Sequence, residues 1–132
     1  MPTLTKAART IVERTTAGFR RDREELSPAD QSRIQDSLKR AYALLRENRP
    51  KLFSELYQPL PIHLKGGLSS SLYALRAGVD IRIILTVDED PIFGQTLVTL
   101  FRAVRQGEEQ RAYRSIAQLL YGGQLDRRNG AA

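Results

Sequence analysis

The sequence predicts an α+β fold, a small antiparallel sheet packed against two N-terminal helices and followed by a C-terminal helix. Three observations carry the prediction. An apolar stripe at helical spacing runs through residues 34–45, the period switches to two from residue 72, and helical spacing returns after residue 108. A chain of 132 residues fits one domain, 1–132, with residues 1–9 and 122–132 expected as flexible tails.

Residues 10–15 (TIVERT) alternate β-branched and polar side chains only in part, which makes them a candidate edge strand. Thr16 is placed to cap a short helix containing Phe19 and Leu26. Ser27-Pro28-Ala29-Asp30 is a second and clearer helix start: a serine cap, a proline at the first position and an acid where a capping box puts one. Downstream, Ile34, Leu38, Ala41 and Leu45 form a single apolar stripe, and Asn48-Arg49-Pro50 reads as the helix end. Residues 49–64, with Pro50, Pro59 and Pro61, read as a loop.

The meander begins with a short strand at 72–76 and a turn at Ala77-Gly78. Residues 79–88 form the clearest strand, with Val79, Ile81, Ile83, Leu85 and Val87 on one face and Asp80, Arg82, Ile84, Thr86 and Asp88 on the other. Asp88-Glu89-Asp90-Pro91 reads as the break before a last strand at 96–104. The final helix, 108–121, takes Ala112, Ile116, Leu119 and Leu120 as its apolar side. Helices are expected on one face of the sheet, with the other face at least partly free.

A net charge of +6 favours a polyanionic partner, through counterion release and long-range steering. No apolar run is long enough to span a bilayer, and the start MPTLTKAART lacks the apolar segment of a secretory signal. The chain has no cysteine, which excludes disulfides and cysteine-ligated zinc and fits a cytoplasmic location. With one histidine and scattered carboxylates, no metal and no cofactor is implied. The three acids at 88–90 read as an exposed turn.

Arginines on a stiff strand suit an anion. Guanidinium keeps its charge and offers phosphate two parallel hydrogen bonds, and a strand holds that fork in place. Arg82 is the best single candidate, on the less apolar face of the strongest strand, and Arg76 is a second strand cation. Pairing of Arg82 with Asp80, Asp88 or a cross-strand acid is the competing reading. His63, the lone histidine, would serve as acid or base at neutral pH, although a histidine beside leucines is more often a packing residue.

The segment LKGGLSSSLYALRAGVDIRIILTVDED, followed by a strand and then RQGEEQRAYRSI, resembles the RelE/ParE superfamily of bacterial toxins from type II toxin–antitoxin systems. The likeness spans about 10–120 and is specific over 63–115. Its carriers are a lysine-glycine loop, a strand ending near LR-G, a strand opening with an arginine, an acidic turn, and a last strand leading to a basic segment and a tyrosine.

The resemblance implies a metal-independent endoribonuclease that cuts mRNA, on the ribosome in RelE-like members, and growth inhibition as its consequence. It implies roles for Lys65 as the loop lysine that contacts substrate or takes a proton as general base, Arg82 as the strand arginine that holds phosphate, and Tyr113 as the tyrosine that orients or stacks on substrate. Tyr113 also borders the apolar side of the last helix, where a packed aromatic is the competing reading. Arg105 falls at the family's last-strand basic position, but Gln106-Gly107 lengthens the interval to Tyr113, so either Arg105 or Arg111 is the counterpart. His63, Arg76 and Arg111 are expected to contact RNA. The carboxylate that several relatives carry before the loop lysine is replaced by Pro61 and Ile62, and Glu55 lies too far back to substitute. The ParE branch supplies the alternative, a non-enzymatic toxin that binds DNA gyrase; a weaker third is a fold relative that only binds RNA or an antitoxin-like peptide. A cognate antitoxin is the expected protein partner in either toxin case. The nuclease reading requires Arg82, Lys65 and Arg105 to converge on one anion; with Arg82 turned away from the other two, or neutralised inside the core, only the shared shape would remain.

Overall fold

The computed structural model describes residues 10–125. β1 (Thr10–Thr15) leads into α1 (Ala17–Glu25) and α2 (Pro28–Glu47), then α3 (Arg49–Glu55), β2 (Leu72–Ala77), β3 (Ile81–Asp90), β4 (Gln95–Arg105) and α4 (Glu109–Tyr121). The sheet order is β1-β4-β3-β2. The meander β2-β3-β4 is antiparallel, and β1 joins the edge parallel to β4, so the sheet as a whole is mixed. No helix among the described residues is long and apolar enough to cross a membrane.

Local chemistry accounts for the helical layer. The Thr16 hydroxyl accepts from the Phe19 amide and starts α1; the Ser27 hydroxyl accepts from the Asp30 amide and starts α2. Ile34, Leu38, Ala41 and Leu45 are the buried residues of α2, as the stripe predicted. With Phe19 they cover Ile81, Ile83, Leu85 and Val87 of β3 and Val98, Leu100 and Ala103 of β4. At about 25 cal/mol per Å² of apolar surface, each such side chain contributes roughly 1.5–3 kcal/mol of transfer free energy.

Several local expectations are corrected. Residues 49–55 form α3 rather than loop, because Asn48 caps a new helix: its Oδ1 accepts from the Lys51 amide, and Pro50 sits in the first turn. Leu52 and Leu56 then bury in the core. Val79 is not on a strand but in the β2–β3 turn, 90% exposed. Gly78 makes that turn at φ 85°, where a Cβ would also stand 3.0 Å from Arg33 Cδ. β3 runs on through Asp88-Glu89-Asp90, pairing with Leu97, Thr96 and Gln95. The three acids are accommodated there by Ser71 on Asp88, by Arg49 and Thr96 on Glu89, and by the Ile92 and Phe93 amides on Asp90.

α4 packs on the second face of the sheet, where Leu72, Ile84, Val104, Ala112, Tyr113 and Ala117 form a smaller core. Its buried stripe is Ala112, Tyr113 and Ala117, with Leu119 74% exposed and Leu120 38% exposed. The expected apolar side was therefore rotated, because the aromatic ring of Tyr113 claims the sheet. Residues 122–125, expected in a flexible tail, belong to the fold: Gly122–Gln124 make a 3-10 turn and Leu125 bridges to Leu64. The remainder of both expected tails lies outside the described residues.

Candidate functional site

β2 and β3 pair so that Arg76 lies directly opposite Arg82. Both project from the α4 face, the face of Ile84 and Val104, since Arg82 pairs in turn with Val104. Like charges opposite one another destabilise a sheet. Here neither guanidinium has an acidic partner among the described residues: Arg76 is exposed and stacks on the Tyr57 ring, 4.3 Å from its centroid. Arg82 is 5% exposed, and its Nη1 donates to the carbonyl oxygens of Val79 (3.2 Å) and Ile81 (3.0 Å). A buried cation ordinarily needs a carboxylate as well as hydrogen bonds. Arg82 has only carbonyl dipoles.

Tyr57 is held in register by its own backbone. Its amide donates to Ala74 O at 3.1 Å and its carbonyl accepts from Ala74 N at 2.7 Å, adding a one-residue bridge beyond β2. The Tyr57 hydroxyl donates to Glu109 Oε2, at the first position of α4. Burial, then the Glu109 hydrogen bond and charge, push the phenol up to about 12, while Arg76 and Arg82 pull the other way. At neutral pH this hydroxyl keeps its proton and serves as a donor. A row of Tyr57, Arg76 and Arg82 thus crosses one end of the sheet, with Glu109 at its helical side.

The other expected site residues go elsewhere. Arg105 pairs with Ile81, so it emerges on the opposite face from Arg82. There it binds Asp30 (2.9 Å) and Asp80 (3.3 Å), a contact that holds Asp30 below its ordinary pKa, offset in part by desolvation. Tyr113 is fully buried; its hydroxyl donates to Leu72 O at 2.6 Å, and burial raises its pKa well out of the usual range. The structure thus places this side chain in the smaller core, the competing reading, rather than at the arginine row.

Lys65 is exposed on a 3-10 turn made possible by Gly66 and Gly67, both at positive φ. It follows Leu64, which bridges Leu125 beyond the far end of α4. Thirteen residues of helix, about 20 Å at 1.5 Å each, separate that end from Glu109. His63 is half-buried beside Lys65, and Arg111 is exposed on α4. The expected convergence of Lys65, Arg82 and Arg105 is therefore not formed: one sheet face separates the arginines, and the length of α4 separates the lysine. Sequence alternation could not place Arg105, because a register shift in β4 skips Phe101 and puts Arg105 and Ala103 on the same face as Val98 and Leu100. Tyr57 and Glu109 carried no sequence signal beyond being an aromatic in a loop and an acid at a helix start.

A groove of about 660 Å³ on the other side of the molecule is lined by Glu13, Arg23, Ile34, Leu38 and Tyr42 among others. It is remote from the arginine row in that it belongs to β1, α1 and α2. Comparisons with protein-family models, with curated proteins and with solved structures found no match for this chain.

Proposed function

We propose that the protein is a toxin of the RelE/ParE kind whose working surface is the α4 face of the sheet, a metal-independent endoribonuclease that acts on RNA without the Lys65–Arg82–Arg105 convergence first required of it. The observation that carries the reading is the Arg76–Arg82 pair, two opposed guanidinium groups with no carboxylate partner among the described residues. Such a pair is stabilised by an incoming phosphodiester, because the anion relieves the mutual repulsion and supplies the missing countercharge. Arg76 is exposed and reaches the phosphate directly; Arg82, out of water, acts through a charge that solvent screens little. Apart from the added α3, the order of elements follows the order that the family resemblance implied, and the net charge of +6 suits an RNA partner such as mRNA on the ribosome.

A cognate antitoxin is the protein partner this reading requires. The exposed Leu119 and Leu120, at the far end of α4 from the arginine row, support a covering partner that lies along this helix.

The separation of Lys65 and Arg105 from Arg82 favours a second reading, a non-enzymatic ParE-like toxin that grips DNA gyrase. Expression in growing cells distinguishes the two. The nuclease reading expects growth arrest with cut mRNA, abolished in Arg82→Ala and also in the volume-preserving Arg82→Met. DNA breakage or altered supercoiling with intact mRNA overturns it in favour of gyrase.

A further inference from the structure

We infer that Glu109 is the proton acceptor of this site and Tyr57 its positioning residue, so that the cluster cleaves RNA through the substrate's own 2′-hydroxyl. The inference rests on the RNA reading above and deepens it. A phosphate on the arginine pair still needs a base, and the residues first expected to serve, Lys65 and His63, lie beyond the other end of α4. Glu109 is a carboxylate that the structure brings to the row.

Three features fit it to the task. Glu109 opens α4, a 13-residue helix, so the first turn fixes the carboxylate at the edge of the arginine row. Its recorded partner is a neutral phenol, not an arginine, so its oxygens keep acceptor capacity for a hydroxyl. Finally, that phenol belongs to the ring on which Arg76 stacks at 4.3 Å, so one aromatic side chain fixes the spacing between base and phosphate ligand. Charged and titratable groups around the pair come from three other elements: Tyr57 before β2, Arg76 on β2 and Arg82 on β3.

The step is balanced as follows. The 2′-hydroxyl gives its proton to Glu109 as the 2′-oxygen forms a bond to phosphorus. The bond from phosphorus to the 5′-oxygen breaks with its electron pair, and that oxygen takes a proton from solvent water. The products are a 2′,3′-cyclic phosphate and a 5′-hydroxyl, and Glu109 returns its proton to water. Arg76 and Arg82 offset the charge gathered on the phosphoryl oxygens.

The test uses the full chain with a short RNA, with and without ribosomes, and a 2′-O-methyl copy of that RNA as an uncleavable binding probe. Glu109→Gln is expected to lower single-turnover cleavage by about 10²-fold or more, to bind the methylated probe within about twofold of wild type, and to lose the acidic limb of the pH–rate profile. Tyr57→Phe is expected to lower the rate by roughly tenfold while binding the methylated probe within about twofold of wild type, since the carboxylate loses the hydroxyl that positions it. Unchanged cleavage in Glu109→Gln overturns the inference and leaves the RNA site standing. Parallel loss of cleavage and probe binding also overturns it, because a base does not hold the ground state. If wild type neither cuts nor binds RNA, the functional reading itself falls and takes the inference with it. Should Glu109→Gln melt at the assay temperature, the Tyr57→Phe rate and probe binding decide the matter alone: a rate loss with probe binding kept supports the inference, an unchanged rate overturns it.

Discussion

Two arginine clusters lie at the same end of one sheet, on opposite faces, and they are neutralised in opposite ways. On the α2 face Arg105 meets two carboxylates, Asp30 and Asp80. On the α4 face Arg76 and Arg82 meet a ring and two carbonyl oxygens. The first cluster is internally balanced and joins α2 to the β2–β3 turn. The second is charged in excess, which disfavours the fold and favours an anion. Identical side chains at one end of the sheet thus divide into structural and binding roles according to whether acid is built beside them.

The comparison breaks most readily at Arg82. Its removal in Arg82→Ala is expected to reduce RNA cleavage by about 10²-fold, the lower end of what one transition-state donor contributes. Arg82→Met is the sharper test, since replacing a buried charge by an apolar side chain of similar size is often neutral or stabilising by about 1 kcal/mol or more. A denaturation midpoint that rises while cleavage falls shows a cation kept for function; a fall in both marks Arg82 as structural. Arg76→Ala removes the exposed member and is expected to weaken RNA binding by about tenfold, with a shallower salt dependence.

Tyr113→Phe probes the packed half of the α4 face. Loss of the hydrogen bond to Leu72 O is expected to cost about 1 kcal/mol of stability with cleavage unchanged, measured by urea denaturation beside the RNA assay. A large loss of cleavage at full stability would return Tyr113 to the site.

The smallest effect is expected on the α2 face. Arg105→Ala should leave cleavage within about twofold of wild type, because its guanidinium is on the far side of the sheet and already paired. Its signature is in acid. Asp30 has a lowered pKa in the folded state, so the unfolded state takes up its proton first as pH falls. The stabilisation is present above the ordinary carboxylate pKa and is lost as pH drops through the folded value. Arg105→Ala is expected to lose part of that acid sensitivity below about pH 4, read as a melting temperature against pH. Lys65→Ala, beyond the far end of α4, should likewise leave cleavage within about twofold, and a larger fall would move the working surface toward the glycine turn.

Elements legible in the sequence were those decided by short-range chemistry. Ser27-Pro28 and the stripe from Ile34 to Leu45 announce α2 because cap and period act over a few residues. The alternation in β3 announces a strand, and Arg82 stands out on it. Less legible was Asn48-Arg49-Pro50, since a proline that ends one helix also suits the first turn of the next, and only burial of Leu52 chooses between them. Val79 misled because a β-branched residue at the right parity looks like strand until the turn at Gly78 claims it.

By itself the sequence determined an α+β chain with one well-capped long helix, a β-meander and an excess of positive charge, since caps, periodicity and composition are local or additive. Tertiary structure alone decided which face Arg105 took, through a register shift in β4, and that Tyr57 and Glu109 came together across 52 residues of chain. Register sets the face and helix docking sets the partner. Both are settled by contacts between segments far apart in sequence, where no local pattern records them.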